Sequence, residues 1–332
     1  MGIKGLKDLI KKHSSDSITP IKLNFLKNKI LCIDSSILLY KFRYSIQNDN
    51  FHIIGFLQKT LELLEFGIIP IYIFDGKPPD AKQNVLKKRS EIKNKSKERL
   101  DELNLEKNNY SGKFKNSLDF LDEIILSDDE NILEIEELNL LKKNNKEIEK
   151  IQKNTLYVNK IHSVEVMELL KSIGISFYES QGEAEEMCAF LQKNKIADYI
   201  LTEDTDSLTF GGDNIIFNTK NNYCLCKIQN VLDGFELNFN EFVDLCILCG
   251  CDYTCSIPKL GPNKALVIIK KYKSIENFIT NNKIYFIPTS FNYIEARFLF
   301  YKNNEFNLTL NLNKNEFNKN EFNKNLIKFN LI

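Results

Sequence analysis

The chain has 332 residues, and its 45 Lys and Arg residues are balanced by 45 Asp and Glu residues, so its formal net charge is zero. Hydrophobic residues make up 43% of the chain, enough to build a core for one large domain or two ordinary ones. The even balance excludes binding to nucleic acid or to an anionic membrane by bulk charge alone. The sequence has no apolar run long enough to predict a transmembrane helix, and its cationic start, MGIKGLKDLIKKH, lacks the apolar stretch of a signal peptide. We therefore expect a location in the cytosol or nucleus and no membrane partner.

The first 75 residues alternate between strand and helix patterns. An apolar run ends at Asp34 (KILCID), a stretch with helical periodicity follows (IIGFLQKTLELLEF), and a β-rich run ends at Asp75 (IPIYIFD). After Tyr157 the alternation returns as helix (HSVEVMELLKSIG), strand (ISFYES), helix (GEAEEMCAFLQKNK) and two strands (ADYILTEDTDS and NIIFNT). This order predicts an α/β fold with a mostly parallel, twisted sheet flanked by helices.

The middle of the chain is polarised. Residues 77–99 contain nine basic and three acidic residues, whereas residues 101–150 contain fourteen acidic and seven basic residues. The basic stretch has few strand formers and no Gly or Pro after Pro79, which predicts a helix. The acidic stretch could be helical or a solvated insertion without order of its own.

Further along, FNEFVDLCILCGCDYTCSIPKLGPNKALVIIKKYKSIENFI predicts a helix, a loop, a second helix and a short third helix, with Gly261 and Pro262 directly before the second. From about Asn303 onward the polar repeat NKNEFNKNEFNKN cannot bury enough apolar surface to fold alone, so we expect weak or borrowed order.

Six of the eight cysteines lie between Cys224 and Cys255. Only Cys246 and Cys249 have the C-x-x-C spacing of a zinc knuckle, and they lie inside the apolar, helix-like run FVDLCILCG. The pattern favours cysteines that face a core over a zinc site, and a reducing compartment disfavours disulfides.

Acidic residues follow the predicted strands and open the neighbouring helices. Ligands of open α/β sheets bind beyond the carboxyl ends of the strands, so these acids should converge on one pocket. Any one of them could instead cap a helix or start a turn, but the whole set would need protons or cations to relieve its repulsion. Oxygen ligands without nearby His or Cys suit Mg²⁺ or Mn²⁺, and two such ions form the usual clamp for attack on a phosphodiester. The set is Asp34, Asp75, Glu183, Glu185, Asp204, Asp206 and Asp252.

The motifs that contain these acids resemble those of the flap endonucleases, the structure-specific 5′ nucleases of DNA replication and repair. The matching blocks are MGIKGLKDLI, ILCIDSS, IYIFDGKPP, GEAEEMCA, LTEDTDSLTFG, FVDLCILCGCDY and LGPNKA, and they occur in family order. The resemblance implies a nuclease fold with a helical arch and a helix–two-turn–helix element that grips duplex DNA.

The resemblance divides the chain into four parts. Residues 1–100 are an N-terminal nuclease region that includes the basic part of the arch, and residues 101–156 are an acidic low-complexity insertion in that arch. Residues 157–300 are an internal nuclease region with the helix–two-turn–helix at about residues 255–275. Residues 301–332 are an Asn/Lys-rich tail.

The resemblance also assigns catalytic roles. It implies that all seven acids are metal ligands, with Asp206 and Asp252 leaning towards one Mg²⁺ ion and the other five, including the catalytic Asp34 and Asp204, towards a second. Mn²⁺ could substitute. Lys82 and Arg89 fall at the family's two basic catalytic positions, which bind the scissile phosphate and stabilise charge on it.

Other matching positions imply contacts with DNA. Tyr40 stands where the family stacks an aromatic ring on the base beside the cut, although from sequence it could equally be a core residue. Gly2 resembles the family's mature N-terminus near the active site, while Gly261 and Lys264 belong to the turn and helix that bind a DNA phosphate and, in the family, a potassium ion. The family's turn usually has glycine where this chain has Lys259, a departure at the K⁺ site.

The resemblance as a whole predicts a nuclear, monomeric, Mg²⁺-dependent hydrolase that cuts a DNA phosphodiester at the base of a 5′ flap by two-metal-ion catalysis, with accompanying 5′-3′ exonuclease activity. This activity would serve replication, through Okazaki fragment processing, and repair. The alternatives are a double-strand 5′ exonuclease of the same superfamily or a catalytically weak DNA-binding scaffold. The final residues NLIKFNLI do not match the family's clamp-binding peptide, so this chain gives no support for a sliding-clamp partner.

Overall fold

A computed structural model describes residues 2–115, 148, 158–219, 222–302 and 318–329. The chain divides into two compact units, one made of residues 1–83 and 158–332 and the other of residues 84–157. The first unit contains the sheet, and the second contains nearly all of one long helix.

The sheet of the first unit has seven strands in the order β1-β7-β6-β5-β2-β3-β4. The five strands from β6 to β4 run parallel, while β7 is antiparallel to β6 and β1 antiparallel to β7. The mostly parallel sheet predicted from the alternating pattern is therefore confirmed. The strands are β1 (Ile18–Ile21), β2 (Ile30–Asp34), β3 (Ile69–Phe74), β4 (Ser176–Glu179), β5 (Tyr199–Leu201), β6 (Asn214–Thr219) and β7 (Asn222–Lys227).

The antiparallel pair β1 and β7 was not anticipated from sequence. β1 has only four residues, ITPI, and includes Pro20, which lacks a backbone N–H and is tolerated in an edge strand. Such a short, proline-containing segment has no clear two-residue periodicity, and only its pairing with β7 defines it as a strand.

Helices cover both faces of the sheet. In the first unit they are α1 (Leu6–His13), α2 (Ser35–Ser45), α3 (Phe51–Glu65), α5 (Lys160–Ser172), α6 (Ala184–Lys193), α7 (Asp206–Thr209), α8 (Ile228–Phe235), α9 (Phe239–Cys249), α10 (Pro262–Tyr272), α11 (Ile275–Asn281), α12 (Tyr293–Tyr301) and α13 (Lys319–Lys328), and α4 (Gln83–Lys115) belongs to the second unit from residue 84 onward. Short 3₁₀ turns lie at Ser15–Ser17, Leu23–Leu26 and Asp80–Lys82.

Two hydrophobic cores result, because successive strand residues point to opposite faces of the sheet. On β2, Cys32 faces a core that also contains residues of α1, α6 and α8 to α12, whereas Leu31 and Ile33 face a core that contains residues of α2, α3 and α5. On β3 the same alternation sends Ile73 to the first core and Phe74 to the second. Burial on both faces explains why these strands read as continuous apolar runs.

All eight cysteines are free thiols, and six of them are buried. Cys246 and Cys249 lie on α9 in the first core, at 0% and 3% exposure. The prediction that they face a core is confirmed.

The predicted start of α10 is also confirmed, since Pro262 occupies the first turn, where its missing N–H costs nothing. The loop from residue 250 to residue 261 joins α9 to α10, and α11 follows after Lys273. This is the arrangement expected for the element predicted at about residues 255–275.

The polar C-terminal repeat forms α13, which is held by the rest of the first unit. Asn325 is buried and its Nδ2 donates to Ser172 Oγ at 3.3 Å. Asn50 Nδ2 donates to the carbonyl of Phe329 at 2.6 Å. Order here is borrowed from α3 and α5, as expected for such a tract, and residues 303–317 and 330–332 lie outside the described residues.

The second unit confirms the helix predicted for the basic stretch from Gln83 onward, and α4 runs to Lys115. Residues 116–147 and 149–157 of the predicted acidic insertion lie outside the described residues, so the insertion and the arch remain predictions. In the described part of the chain, no helix is long and apolar enough to cross a membrane.

Candidate active site

The predicted acids stand at the carboxyl ends of neighbouring parallel strands. Asp34 is the last residue of β2, and Asp75 directly follows β3. Asp204 and Asp206 lie just beyond β5, and Asp206 begins α7. Because β5, β2 and β3 are adjacent and parallel, these residues meet at one edge of the sheet.

One helix beginning and a loop supply the other three acids. Glu183 is the N-cap residue of α6, and Glu185 lies in its first turn. Asp252 follows the end of α9 by three residues. Negative side chains at a helix N-terminus are favoured by the partial positive charge of its free N–H groups.

The pKa values of two of the acids, Asp34 and Glu185, are raised by burial and by the charges of other acids, which places these groups within short electrostatic range. Burial, Asp75 and Asp204 raise the pKa of Asp34 to about 8. Burial and the charges of Asp34, Asp75 and Asp204 raise the pKa of Glu185 well above its ordinary value. The four residues come from separate parts of the chain, and the fold gathers them.

Asp206 and Asp252 share the same environment. Burial first, and then the charges of Asp204 and Asp252, raise the pKa of Asp206 well above its ordinary value, against the opposing effect of Lys82. Burial also raises the pKa of Asp204, which the backbone N–H of Asp206 partly offsets. The seven acids therefore form one connected cluster.

Some of these acids also cap helices, the alternative that the sequence left open. Asp34 Oδ1 accepts the N–H of Ser36 at 3.1 Å at the start of α2. Asp75 Oδ1 accepts the N–H of Ala184 at 2.8 Å at the start of α6. The capping bond uses one oxygen of Asp34, and its other oxygen binds Thr202.

Thr202 joins two of the acids, and the motif search did not find it. Its Oγ1 donates to Asp34 Oδ2 at 3.1 Å and accepts the N–H of Asp204 at 3.0 Å. The residue is buried, at 3% exposure. The position of Thr202, directly after β5 and two residues before Asp204, was the only sign of this role in the sequence. Threonine at the end of a strand is too common for that position to be diagnostic.

Lys82 brings a positive charge into the cluster. Its Nζ donates to Oε1 of Glu183 and lies 3.6 Å from Asp252 Oδ2. Burial alone would lower the pKa of Lys82, but Glu183, Glu185 and Asp252 outweigh this effect and raise it. Lys82 is thus cationic at all physiological pH values and sits at the position predicted for a phosphate-binding group.

Tyr253 is the second residue that the motif search missed. Its buried hydroxyl donates to Oε2 of Glu183, so Lys82 and Tyr253 bind the two oxygens of one carboxylate. Tyr253 directly follows Asp252, and this position was the only sign of its role in the sequence.

The cluster suits divalent cations by its chemistry. Asp206 Oδ1 is buried and has no hydrogen-bond partner. The hydroxyl groups of the neighbouring Thr205 and Ser207 are also buried and also lack a partner. The acids supply only oxygen donors, which hard cations such as Mg²⁺ prefer. Among the residues that the structure describes, no three His, Cys, Asp or Glu side chains are already arranged around a common point as metal ligands.

Gly2 and Gly76 allow the backbone to approach the acids closely. Gly2 has φ 95°, and a Cβ atom there would stand 1.7 Å from Asp204 Oδ1. A Cβ atom at Gly76 would stand 1.8 Å from the carbonyl oxygen of Ser180, and the Gly76 N–H donates to Gly182 at 2.8 Å. The N-terminal segment therefore borders the cluster, where the resemblance had placed Gly2.

Tyr40 is 38% exposed, so the alternative that it belongs to the core is wrong. It lines a pocket of about 270 Å³ together with Asp75 and Asn159. The ring is thus beside the acids and open to a ligand.

One residue of the predicted DNA-binding turn has an unusual backbone conformation. Lys259 adopts φ 65°, the left-handed conformation that glycine favours, which explains why the resemblance expects glycine there. Lys264 Nζ donates to the Lys259 carbonyl at 3.1 Å, and space around Gly261 is open. Arg89 lies on α4 in the second unit, so its predicted role beside the acids is not tested.

Comparison with known proteins places these motifs in a family. The XPG N-terminal domain model matches residues 1–96, and the XPG I-region model matches residues 174–252. Together the two segments contain all seven acids as well as Lys82 and Arg89. Flap endonuclease 1 of Aedes aegypti is 33% identical over 320 residues, a match that covers 90% of this chain and 74% of the relative.

The chain belongs to the flap endonuclease family.

A second relative is considerably longer than this chain. Flap endonuclease 1 of Plasmodium knowlesi is 35% identical over 331 residues, a match that covers 90% of this chain and 49% of the relative. The chain thus spans about half the length of this flap endonuclease relative.

Solved structures agree on the fold. Flap endonuclease-1 from Methanococcus jannaschii matches with a TM-score of 0.60 at 22% identity, over 94% of this chain and 90% of that one. The catalytic core of Rad2 in complex with DNA substrate matches with a TM-score of 0.63 at 22% identity, over 91% of this chain and 86% of that one. The α/β flap endonuclease fold predicted from sequence is confirmed.

Proposed function

We propose that this protein is a structure-specific 5′ flap endonuclease that hydrolyses a DNA phosphodiester at the base of a 5′ flap with two divalent ions. The observation that carries the proposal is the cluster of seven acids at the carboxyl edge of the sheet, in which the ammonium group of Lys82 binds Glu183 and lies beside Asp252. The acids have too little positive charge beside them to be a purely structural network, and family membership supplies the class of reaction.

Mg²⁺ ions held by Asp34, Asp75, Glu183, Glu185, Asp204, Asp206 and Asp252 would supply Lewis-acid polarisation of the phosphodiester, with Mn²⁺ able to substitute. Lys82 would leave Glu183, bind the scissile phosphate and stabilise the negative charge that develops on it. Arg89, seven residues further along the chain, would share this role. Asp34 would be kept in place by the N-terminus of α2 and by Thr202.

DNA would be bound without recognition of its base sequence. Tyr40, exposed beside its pocket, would stack on the unpaired base next to the cut. Backbone N–H groups near Gly261 and the side chain of Lys264 would bind a duplex phosphate at the start of α10. A K⁺ ion bound by the loop before α10, action as a monomer, and nuclear work in replication and repair belong to the same proposal.

A substrate panel with Mg²⁺ tests the activity. It contains a 5′ flap, a double flap, a nicked duplex, a blunt duplex and a single strand, all labelled. Cleavage that favours the flaps supports the proposal, whereas faster recession of the blunt duplex would identify a 5′ exonuclease. No cleavage of any substrate, with retained binding, would identify a DNA-binding scaffold.

The catalytic assignment is tested by Asp204→Ala, with Asp233→Ala as the control because Asp233 is an exposed acid on α8. We expect Asp204→Ala to abolish cleavage of the flap and Asp233→Ala to leave it unchanged. An Asp204→Ala variant that cuts as fast as the unmodified protein would show that the assignment is wrong.

A further inference from the structure

Tyr253 binds a carboxylate that the proposed reaction requires, although the reaction itself requires no tyrosine. Its hydroxyl donates to Oε2 of Glu183, while Lys82 Nζ donates to Oε1. Glu183 is 6% exposed and Tyr253 is 4% exposed, so water competes little for either bond. Both oxygens of this N-cap residue of α6 are thus bound by groups from distant parts of the chain.

The ring of Tyr253 is fixed by two other aromatic rings. Phe300 on α12 packs edge-on at 5.0 Å between centroids, and Phe210 at the end of α7 packs edge-on at 6.3 Å. Phe210 and Phe300 also contact each other at 5.2 Å, and both are buried. These ring contacts restrict the Tyr253 side chain and hold its hydroxyl beside Glu183.

Lys82 is held less firmly. Its side chain is 17% exposed, and its ammonium group is shared between Glu183 and Asp252 at 3.6 Å. The long, flexible side chain of Lys82 can withdraw from Oε1, whereas the packed ring of Tyr253 is restricted in its movement away from Oε2. The two donors on one carboxylate therefore differ in their freedom to leave.

We propose that Tyr253 is a positioning residue, which fixes Oε2 of Glu183 so that Oε1 is the oxygen left for a divalent cation when Lys82 turns to DNA. This inference rests on the proposed function. The hydroxyl of Tyr253 is bonded to Glu183, and in this proposal it acts through Glu183. Partners of this kind typically contribute 10–100-fold to metal affinity.

The test measures Mn²⁺ binding to the full chain by the loss of the free-ion electron paramagnetic resonance signal, without DNA. Tyr253→Phe removes one oxygen atom and keeps the ring. We expect it to weaken Mn²⁺ binding about tenfold or more. Tyr72→Phe is the matched control, because Tyr72 is fully buried, its hydroxyl bonds Thr60 at 2.9 Å, and it lies in the other core. Its Mn²⁺ affinity should match that of the unmodified protein.

A second readout separates positioning from general damage. In flap cleavage, Tyr253→Phe should raise the Mg²⁺ concentration needed for half-maximal rate while leaving KM for DNA at saturating Mg²⁺ unchanged. Its melting temperature without metal should stay close to that of Tyr72→Phe. An equal loss of affinity in both tyrosine variants would overturn the proposal, since it would show a packing effect.

Two further variants keep the outcomes distinct. If the unmodified protein binds no Mn²⁺, the proposed function itself fails. If Glu183→Gln loses affinity but Tyr253→Phe does not, only the role of Tyr253 is wrong. If Tyr253→Phe does not fold, Phe300→Leu replaces it, since this change loosens the ring and keeps the hydroxyl; it should weaken Mn²⁺ binding several-fold, and unchanged affinity would overturn the proposal.

Discussion

Thr202 Oγ1 donates a hydrogen bond to Asp34 Oδ2 at 3.1 Å, and so ties the end of β5 to the end of β2. The same oxygen accepts the N–H of Asp204 at 3.0 Å. One small hydroxyl group thereby sets the spacing of two acids that both lie in the proposed metal site. Its donor and acceptor capacity are both used, which fixes the orientation of its proton.

We predict that Thr202→Val lowers flap cleavage about tenfold or more, because the isosteric side chain can neither donate to Asp34 nor accept from Asp204. Thr202→Ser keeps the hydroxyl and should retain most of the activity. Rates of Mg²⁺-dependent cleavage of a labelled 5′ flap measure both. A valine variant as active as the serine variant would show that the hydrogen bonds do not position the acids.

Asp34 should make the metal-free protein less stable as the pH rises. Its folded pKa is about 8 against an ordinary value of 3.8, so the folded state binds the proton more tightly than the unfolded state. The resulting stabilisation is complete below the unfolded pKa and is lost as the pH rises through the folded value.

Asp34→Asn cannot ionise and serves as the reference. Between about pH 4 and pH 8, the free energy of unfolding of the unmodified protein should fall relative to that of Asp34→Asn, by at most about 1.4 kcal/mol per pH unit. Urea unfolding in EDTA at several pH values measures the difference, and adding Mg²⁺ at the upper end should reduce it. A difference that does not change with pH would contradict this prediction.

Lys259 should gain from replacement by glycine. Its φ of 65° places a side chain in the left-handed region, at a cost of about 1–2 kcal/mol that glycine avoids. The greater freedom of glycine in the unfolded chain offsets part of this gain, so we expect Lys259→Gly to raise the free energy of unfolding by about 0.5–1 kcal/mol.

The control for Lys259→Gly is Lys271→Gly, an exposed position inside α10. There glycine should destabilise the protein by up to about 1 kcal/mol, since the helical backbone gains nothing from it. Urea unfolding of both variants gives the comparison. A loss of stability in both would mean that the Lys259 backbone is not strained.

Arg297 on α12 should stabilise the protein through its ion pairs with Asp244 on α9 and Glu276 on α11. Its Nε and Nη2 donate to Asp244 at 2.8 Å each, and its Nη1 donates to Glu276 at 2.6 Å. Asp244 is 4% exposed, and burial raises its pKa although Arg297 and the N–H of Ile275 oppose the shift. Removing the arginine would leave a buried carboxylate without its cation.

We therefore predict that Arg297→Met lowers the free energy of unfolding by about 3–5 kcal/mol. Arg297→Lys keeps the charge but loses the bidentate geometry of the guanidinium group. Its free energy of unfolding should lie between those of the unmodified protein and Arg297→Met. Adding Asp244→Asn to Arg297→Met should restore part of the stability, because it removes the unpaired charge. Thermal and urea unfolding measure all three, and a methionine variant as stable as the lysine variant would contradict the prediction.

Local patterns in the sequence were sufficient to predict much of the fold. The run KILCID has an apolar periodicity that marks β2, and Pro262 marks the start of α10 by its missing N–H. The edge strand β1 and its neighbour β7 were missed, and the β1 segment ITPI is short and contains proline. β1 is defined by its pairing with β7, from Ile18 with Cys226 to Ile21 with Tyr223.

The sequence by itself indicated which acids belong to the candidate site: parallel strands end at the same edge, six of the seven acids follow such a strand or open a helix beside it, and Asp252 follows the apolar helix α9. Only the tertiary structure decided how those acids are held. Thr202 reaches Asp34 across 168 residues of chain, and Tyr253 reaches Glu183 across 70. Single hydrogen bonds between distant segments leave no periodic trace in a sequence, and they form only once the sheet has set the distances between its strand ends.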